Sequence, residues 1–272
     1  MCLALLVGAV LLAPAAQGEK GTQESACRDN ILEEIRQIEF SEIQYNVPCD
    51  PYYGFRPGTI PVLLSAPHGA RHYRTGESRW KGEDEYTASI AIRLGELTGA
   101  HVVYVKNRAP EDPNHDVRSA YEDFVEKIVK EHGILFLIDL HGADEARPFK
   151  IDVGILEEET ERSSCPTFKK TIEECFSGFQ GNLFNQRFPA RGSGTITHFA
   201  RKKLGIEAAQ FEINARYRIV ERKPDSTCAR DNRKPHFRAR PEDVLEFLGR
   251  MERMILAVHV RIRECSLGPT GG

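Results

Sequence analysis

Ile134–Gly142 reads ILFLIDLHG, an unbroken apolar run that stops at Asp-Leu-His-Gly. A run of this length closed by glycine predicts a central, doubly covered strand of an α/β sheet. Side chains at the carboxyl end of such a strand face the crevice where ligands bind. Pro61–Gly69 (PVLLSAPHG) has the same order: apolar strand, histidine, glycine. A single histidine at a strand end is ordinarily a hydrogen-bonding group. Two strands that deliver an imidazole to one sheet edge suggest half of a metal site.

Outward from these two strands, helical and strand patterns alternate. Ile31–Phe40 is amphipathic, and an irregular Pro/Tyr/Gly segment follows it to Gly58. A helix is expected from about Asp84 to Leu97, with Ile90, Ala91, Leu94 and Leu97 on one face and Gly99 closing it. His101–Val105 (HVVYV) reads as strand. Asp116 is the expected cap of the next helix, whose inner face carries Ala120, Tyr121, Phe124, Val125, Ile128 and Val129. Lys150–Leu156 reads as a short strand, Pro166–Phe176 and Thr195–Lys203 as helices, and Ile206–Ile213 as strand. Pro241–Ile262 keeps helical spacing throughout. This alternation predicts a three-layer αβα sandwich with a mixed, largely parallel central sheet. No polar linker interrupts it, so residues 19–272 are expected to form one domain.

A zinc ion in a hydrolase usually takes three protein ligands and leaves a fourth position to solvent. His68 and His141 supply two. Gly82–Thr87 (GEDEYT) offers Glu83, Asp84 and Glu85 for the third, although acids in a first helical turn also suit the helix dipole. Asp139 points to the same side of its strand as His141 and is a candidate for orienting that ring. Hydrolysis also needs a general base. Glu212, set between Phe211 and Ile213 in AAQFEIN, is the best candidate, the competing view being a solvent-facing position on a half-exposed strand.

The 272 residues carry a formal charge of −3, with 40% hydrophobic and 28% charged residues, the composition of an ordinary globular protein. Lys and Arg are scattered among acids, so nothing points to nucleic acid. Leu3–Ala16 is almost wholly apolar and ends in Ala-Pro-Ala-Ala-Gln-Gly, the layout of a secretory signal over residues 1–18. A secreted or extracytoplasmic protein without stable membrane insertion is expected. Loss of Cys2 with that leader leaves Cys27, Cys49, Cys165, Cys175, Cys228 and Cys265, an even number that suits disulfides in an oxidising compartment. There is no closely spaced Cys/His set for a structural zinc, and no G-x-S-x-G for a serine hydrolase.

Taken in order, Pro67–Gly69, the acidic segment after it, Arg108, Asp112 and Asn114 in NRAPEDPNH, Asp139–Gly142, and the pair GSGTIT (192–197) and QFEIN (210–214) resemble the N-formylglutamate amidohydrolase family. The resemblance spans roughly Pro61 to Tyr217. It implies a fold similar to zinc carboxypeptidases and aspartoacylase-like enzymes, and one zinc ion held by His68, Asp84 and His141. It further implies Glu212 as the base that activates water and protonates the leaving amine. Arg108 would polarise the scissile carbonyl or clamp a substrate carboxylate, with Asn114 beside it. Arg187, Arg191 and Thr195, near the glycine-rich turn, become candidates for substrate binding; solvated surface arginines are the plainer reading of the first two. His115 stands where the family carries a further arginine.

The function expected is a secreted zinc-dependent amidohydrolase acting on an N-acyl amino acid or peptide-like substrate with a carboxylate. A zinc peptidase for γ-glutamyl or other unusual peptide bonds, and a non-catalytic secreted binding protein on the same fold, are the alternatives.

Overall fold

The computed structural model describes residues 18–156 and 168–267, and side chains within 30–156 and 168–264. The apolar leader expected at residues 1–18 lies outside them save for Gly18. In chain order the elements are α1 (Gly18–Ser41), β1 (Gln44–Pro48), β2 (Tyr53–Arg56), β3 (Ile60–Ala66), β4 (His72–Arg74), β5 (Arg79–Lys81), α2 (Thr87–Thr98), β6 (Ala100–Val105) and β7 (Asn107–Arg108). They continue with α3 (Ala120–His132), β8 (Phe136–Ala143), β9 (Ile151–Gly154), α4 (Phe168–Cys175), α5 (Ile196–Phe199), β10 (Glu207–Asn214), α6 (Thr227–Arg230) and α7 (Pro241–Leu267).

The central sheet runs β2-β6-β3-β8-β10-β9. Its inner four strands are parallel, and β2 and β9 flank them antiparallel. This is the mixed, largely parallel sheet that the apolar runs imply. From β3 the chain passes to β6 on one side, then crosses to β8 on the other. The order of strands therefore reverses at β3 and β8, which is where a parallel sheet opens a crevice at its carboxyl edge. His68 leaves β3 and His141 lies near the end of β8, so both imidazoles arrive at that crevice. The strands are buried along nearly their whole length, which explains why they read as continuous apolar runs rather than alternating ones. α7 contacts α1, α2 and α4, and α1 contacts α2, forming a helical layer, and α3 is tied to the sheet by the Tyr121 hydroxyl, 3.1 Å from Ser65 Oγ and donating to the Val103 carbonyl.

Several local expectations are corrected. α2 begins at Thr87, not Asp84, because Tyr86 takes a left-handed backbone (φ 69°) and the three acids before it are held by other partners. Ser119, not Asp116, caps α3, its side chain accepting from the Glu122 amide at 3.1 Å. Asp116 instead accepts from the amides of Asp112 and Thr75. The three cysteines with described side chains, Cys49, Cys175 and Cys228, are free, so the disulfide expectation finds no support in them. The other three lie outside the described side chains. Among the described residues no helix is long and apolar enough to cross a membrane.

Candidate functional site

Nδ1 of His68 lies 3.3 Å from Asp84 Oδ2, and Nδ1 of His141 lies 3.4 Å from the same oxygen. The opposite nitrogen of each ring meets a fully buried carboxylate: His68 Nε2 is 2.8 Å from Asp112 Oδ1, and His141 Nε2 is 3.0 Å from Asp139 Oδ2. An ionised carboxylate only accepts, so each Nε2 carries the donated proton. Each ring then turns Nδ1 toward a shared carboxylate oxygen. Three acceptors facing one another need a cation between them, either extra protons or a metal ion.

The dimensions fit a metal. Ligands bound at about 2.0–2.1 Å around a tetrahedral ion stand roughly 3.3–3.4 Å apart, matching the two separations above. The three donor atoms all lie within 4.8 Å of one another, and two imidazoles with one carboxylate form a donor set suited to zinc. Carboxylates on the far nitrogens are the arrangement that fixes ring orientation in such sites. His68, His72 and Asp112 also cluster. That group fits an ion poorly, because Arg74 Nε already donates to Asp112 at 2.6 Å.

The same geometry governs the charges. Burial disfavours a charged ring at His68, but the Asp112 and Asp84 carboxylates together outweigh it and lift the imidazole to about 9. His141 is raised likewise, burial being overcome by Asp139 together with Asp84 and Glu212. For Asp84, burial opposes ionisation, yet hydrogen bonds from both histidines hold its carboxyl well below the usual range. His72, stacked on His68 with centroids 4.0 Å apart, is pushed down to about 3 by burial and by its neighbour's charge.

Glu212 sits beside His141, directly paired with it across β10 and β8. It is 8% exposed, and burial lifts its carboxyl to about 7. Gln210 Nε2 donates to its Oε1 at 3.0 Å. The solvated-strand view of this residue is thereby excluded. Of the other two acids in GEDEYT, Glu85 is buried against Arg222, whose Nε is 3.1 and 3.0 Å from its two oxygens, and Glu83 accepts from Thr227 Oγ1 at 2.8 Å. Asp84 alone of the three joins the histidines.

These groups open into a cavity of about 510 Å³. Asn114, Arg187, Arg191 and Thr195 line it, as do Arg74 and Arg147, which the sequence reading missed. Asn114 and Thr195 are engaged with the cavity wall. Asn114 Oδ1 accepts from the Ile196 amide at 2.7 Å, and the Thr195 hydroxyl donates at 2.9 Å to Gly192 O and accepts from the His198 amide. A side chain at Gly194 would meet the His115 carbonyl at 2.1 Å, so only glycine lets the two loops close together there. Arg108 does not line this cavity. It lines a separate hollow with Tyr73 and Trp80, its guanidinium 5.0 Å from the Trp80 ring. Asp112, named above only as part of the NRAPEDPNH motif and given no role there, is a fully buried carboxylate between His68 and His72.

No protein-family profile and no curated protein sequence matches the chain. Solved structures do. N-formylglutamate amidohydrolase from Ralstonia eutropha JMP134 aligns with a TM-score of 0.51 at 13% identity, over 78% of this chain and 98% of that one. The gene product Atu2144 from Agrobacterium tumefaciens gives 0.50 at 13% identity, over 78% and 96%. A bacteriophage poly-gamma-glutamate hydrolase gives 0.47 at 16% identity, over 77% and 90%. The chain thus shares the fold of the family whose motifs it resembles.

Proposed function

We propose that the protein is a zinc-dependent amidohydrolase that cleaves the C–N bond of a small N-acyl amino acid or peptide-like substrate bearing a carboxylate. The observation that carries this reading is the convergence of His68, His141 and Asp84 beside the buried Glu212, inside an arginine-lined cavity. A divalent ion bound there supplies Lewis acidity, polarising a carbonyl and lowering the pKa of water. Every remaining task falls to side chains. Glu212, with Oε1 held by Gln210, takes a proton from the attacking water and returns it to the amide nitrogen, so that the amine leaves neutral as the C–N bond breaks. Arg187 and Arg191 line that cavity, and the planar donor fork of a guanidinium suits a substrate carboxylate. A cavity of about 510 Å³ suits a small ligand. Export is proposed with it, on the apolar leader, and is tested by the amino-terminal mass of protein recovered from the medium.

The test is metal content and turnover of the parent and Glu212→Gln across a panel of N-acyl amino acids and γ-glutamyl peptides. Stoichiometric zinc in both proteins, with hydrolysis by the parent alone, is the expected result. Zinc in both with no turnover of any panel member favours a binding protein instead.

A further inference from the structure

Arg218 lies just beyond β10, is 5% exposed, and takes no part in the chemistry above. Its guanidinium donates to three backbone carbonyls: Ile213 from Nε at 3.1 Å, Ala143 from Nη2 at 3.4 Å, and Glu85 from Nη1. These carbonyls belong to three segments far apart in sequence. Glu85 follows Asp84, Ile213 follows Glu212, and Ala143 stands two places after His141. One rigid fork therefore ties together the chain segments that deliver the acid, the base and one imidazole.

The space for this fork is itself built into the sequence. A Cβ at Gly142 would stand 2.6 Å from the guanidinium carbon and from Nη2 of Arg218. Glycine between His141 and Ala143 lets the guanidinium lie directly against the end of β8. Lysine does not reproduce the arrangement, since its ammonium is a compact donor rather than a planar fork. Glu85 adds a second tie at the same place, its carboxylate gripped by Arg222. The backbone after Asp84 is thus held at both its carbonyl and its side chain.

We infer that Arg218 is a positioning residue that fixes Asp84, His141 and Glu212 relative to one another, and through them sets both metal affinity and turnover. This rests on the zinc-hydrolase reading. Displacing the outer partners of metal ligands typically costs roughly 10–100-fold in metal affinity or activity, and Arg218 acts on two ligands and the base together.

The experiment compares the parent with Arg218→Lys and Gly142→Ala. Zinc affinity is measured by chelator competition, melting temperature on the metal-free proteins, and kcat and KM at saturating zinc. Folded variants are expected to bind zinc about 10–100-fold more weakly, and to lose kcat by more than KM changes. A lower melting temperature with zinc affinity within about twofold of the parent and unchanged kcat assigns Arg218 to stability alone and overturns the inference. If Arg218→Lys does not fold, Gly142→Ala decides, because it displaces the fork without deleting it. Failure of both to fold also leaves Arg218 a purely stabilising group. A parent that takes up no stoichiometric zinc is a different result, and overturns the metal reading with it.

Discussion

Asp112 accepts from Nε2 of His68 at 2.8 Å while fully buried, and so does for His68 what Asp139 does for His141. The two imidazoles are thereby held by equivalent carboxylates, one from a loop and one from within β8. Replacing Asp112 or Asp139 by Asn keeps the volume but removes the charge that fixes each ring. Each change is expected to weaken zinc binding by roughly 10–100-fold. Asp112→Asn is the more damaging, since it also releases Arg74. Chelator competition measures both, and equal affinity in parent and variants contradicts the assignment.

Arg108 and Arg187 make a contrasting pair. The guanidinium of Arg108 lies over Trp80 in its own hollow, whereas Arg187 lines the cavity beside Glu212. Arg108→Gln is expected to alter kcat/KM by less than about twofold. If Arg187 holds the substrate carboxylate as proposed, Arg187→Gln removes a charge-assisted hydrogen bond worth about 1.5–3 kcal/mol and should raise KM roughly 10–100-fold. Steady-state kinetics on the same carboxylate substrate decides between them, and a large effect confined to Arg108→Gln reverses the assignment.

The contrast also marks where sequence stops informing. β3 and β8 were legible because burial on both faces makes a strand an apolar run, and the histidine at each end breaks that run visibly. Glu212 was legible for the same reason, as a charge between Phe211 and Ile213 in a buried strand. Asp112, quoted only as part of a motif, and Arg74 break no apolar run and so carried no sign of their role. Each lies in or beside an irregular loop or a three-residue strand, and their meeting with His68 depends on which segments the sheet order brings together. Arg108 is a case of the opposite kind, lining a hollow apart from the cavity. Its place in a motif is local, but its direction is set by the pairing of β7 with β1 and by the β4–β5 hairpin that presents Trp80. The acids at 83–85 show the limit most plainly: three adjacent carboxylates have three different partners, and only the fold separates them.

Glu122 gives a stability prediction remote from the cavity. It is 2% exposed, Oε2 accepts from the Arg118 amide at 2.6 Å, and Oε1 is buried without a hydrogen-bond partner. Burial lifts its carboxyl to about 7 from an ordinary 4.5. A raised folded-state value means that the native protein holds the proton more tightly than the unfolded chain does. The stabilisation is present in full below the ordinary value and is lost as pH rises through about 7. Melting temperature of the parent should therefore fall between about pH 5 and 8 relative to Glu122→Gln, which cannot titrate. Parallel pH profiles for the two proteins contradict this.

Asp152 supplies the last case, because it builds the wall that carries Arg187. It is fully buried on β9, opposite Glu212 in the β10 pairing, and accepts from three consecutive amides: Gln186 at 2.9 Å, Arg187 at 2.6 Å and Phe188 at 2.9 Å. Hydrogen bonds to a charged group contribute about 1.5–3 kcal/mol each, so the 186–188 turn keeps its shape largely through this one carboxylate. Asp152→Asn retains one good acceptor and introduces donors facing amide hydrogens, which the turn can relieve only by opening. Hydrogen exchange of the amides at 186–188 should accelerate, and KM should rise through the displaced Arg187. Zinc affinity should stay near the parent's, because Asp152 contacts none of the three converging donors. Unchanged exchange at 186–188, or a loss of zinc as large as that of Asp112→Asn, assigns the residue some other role.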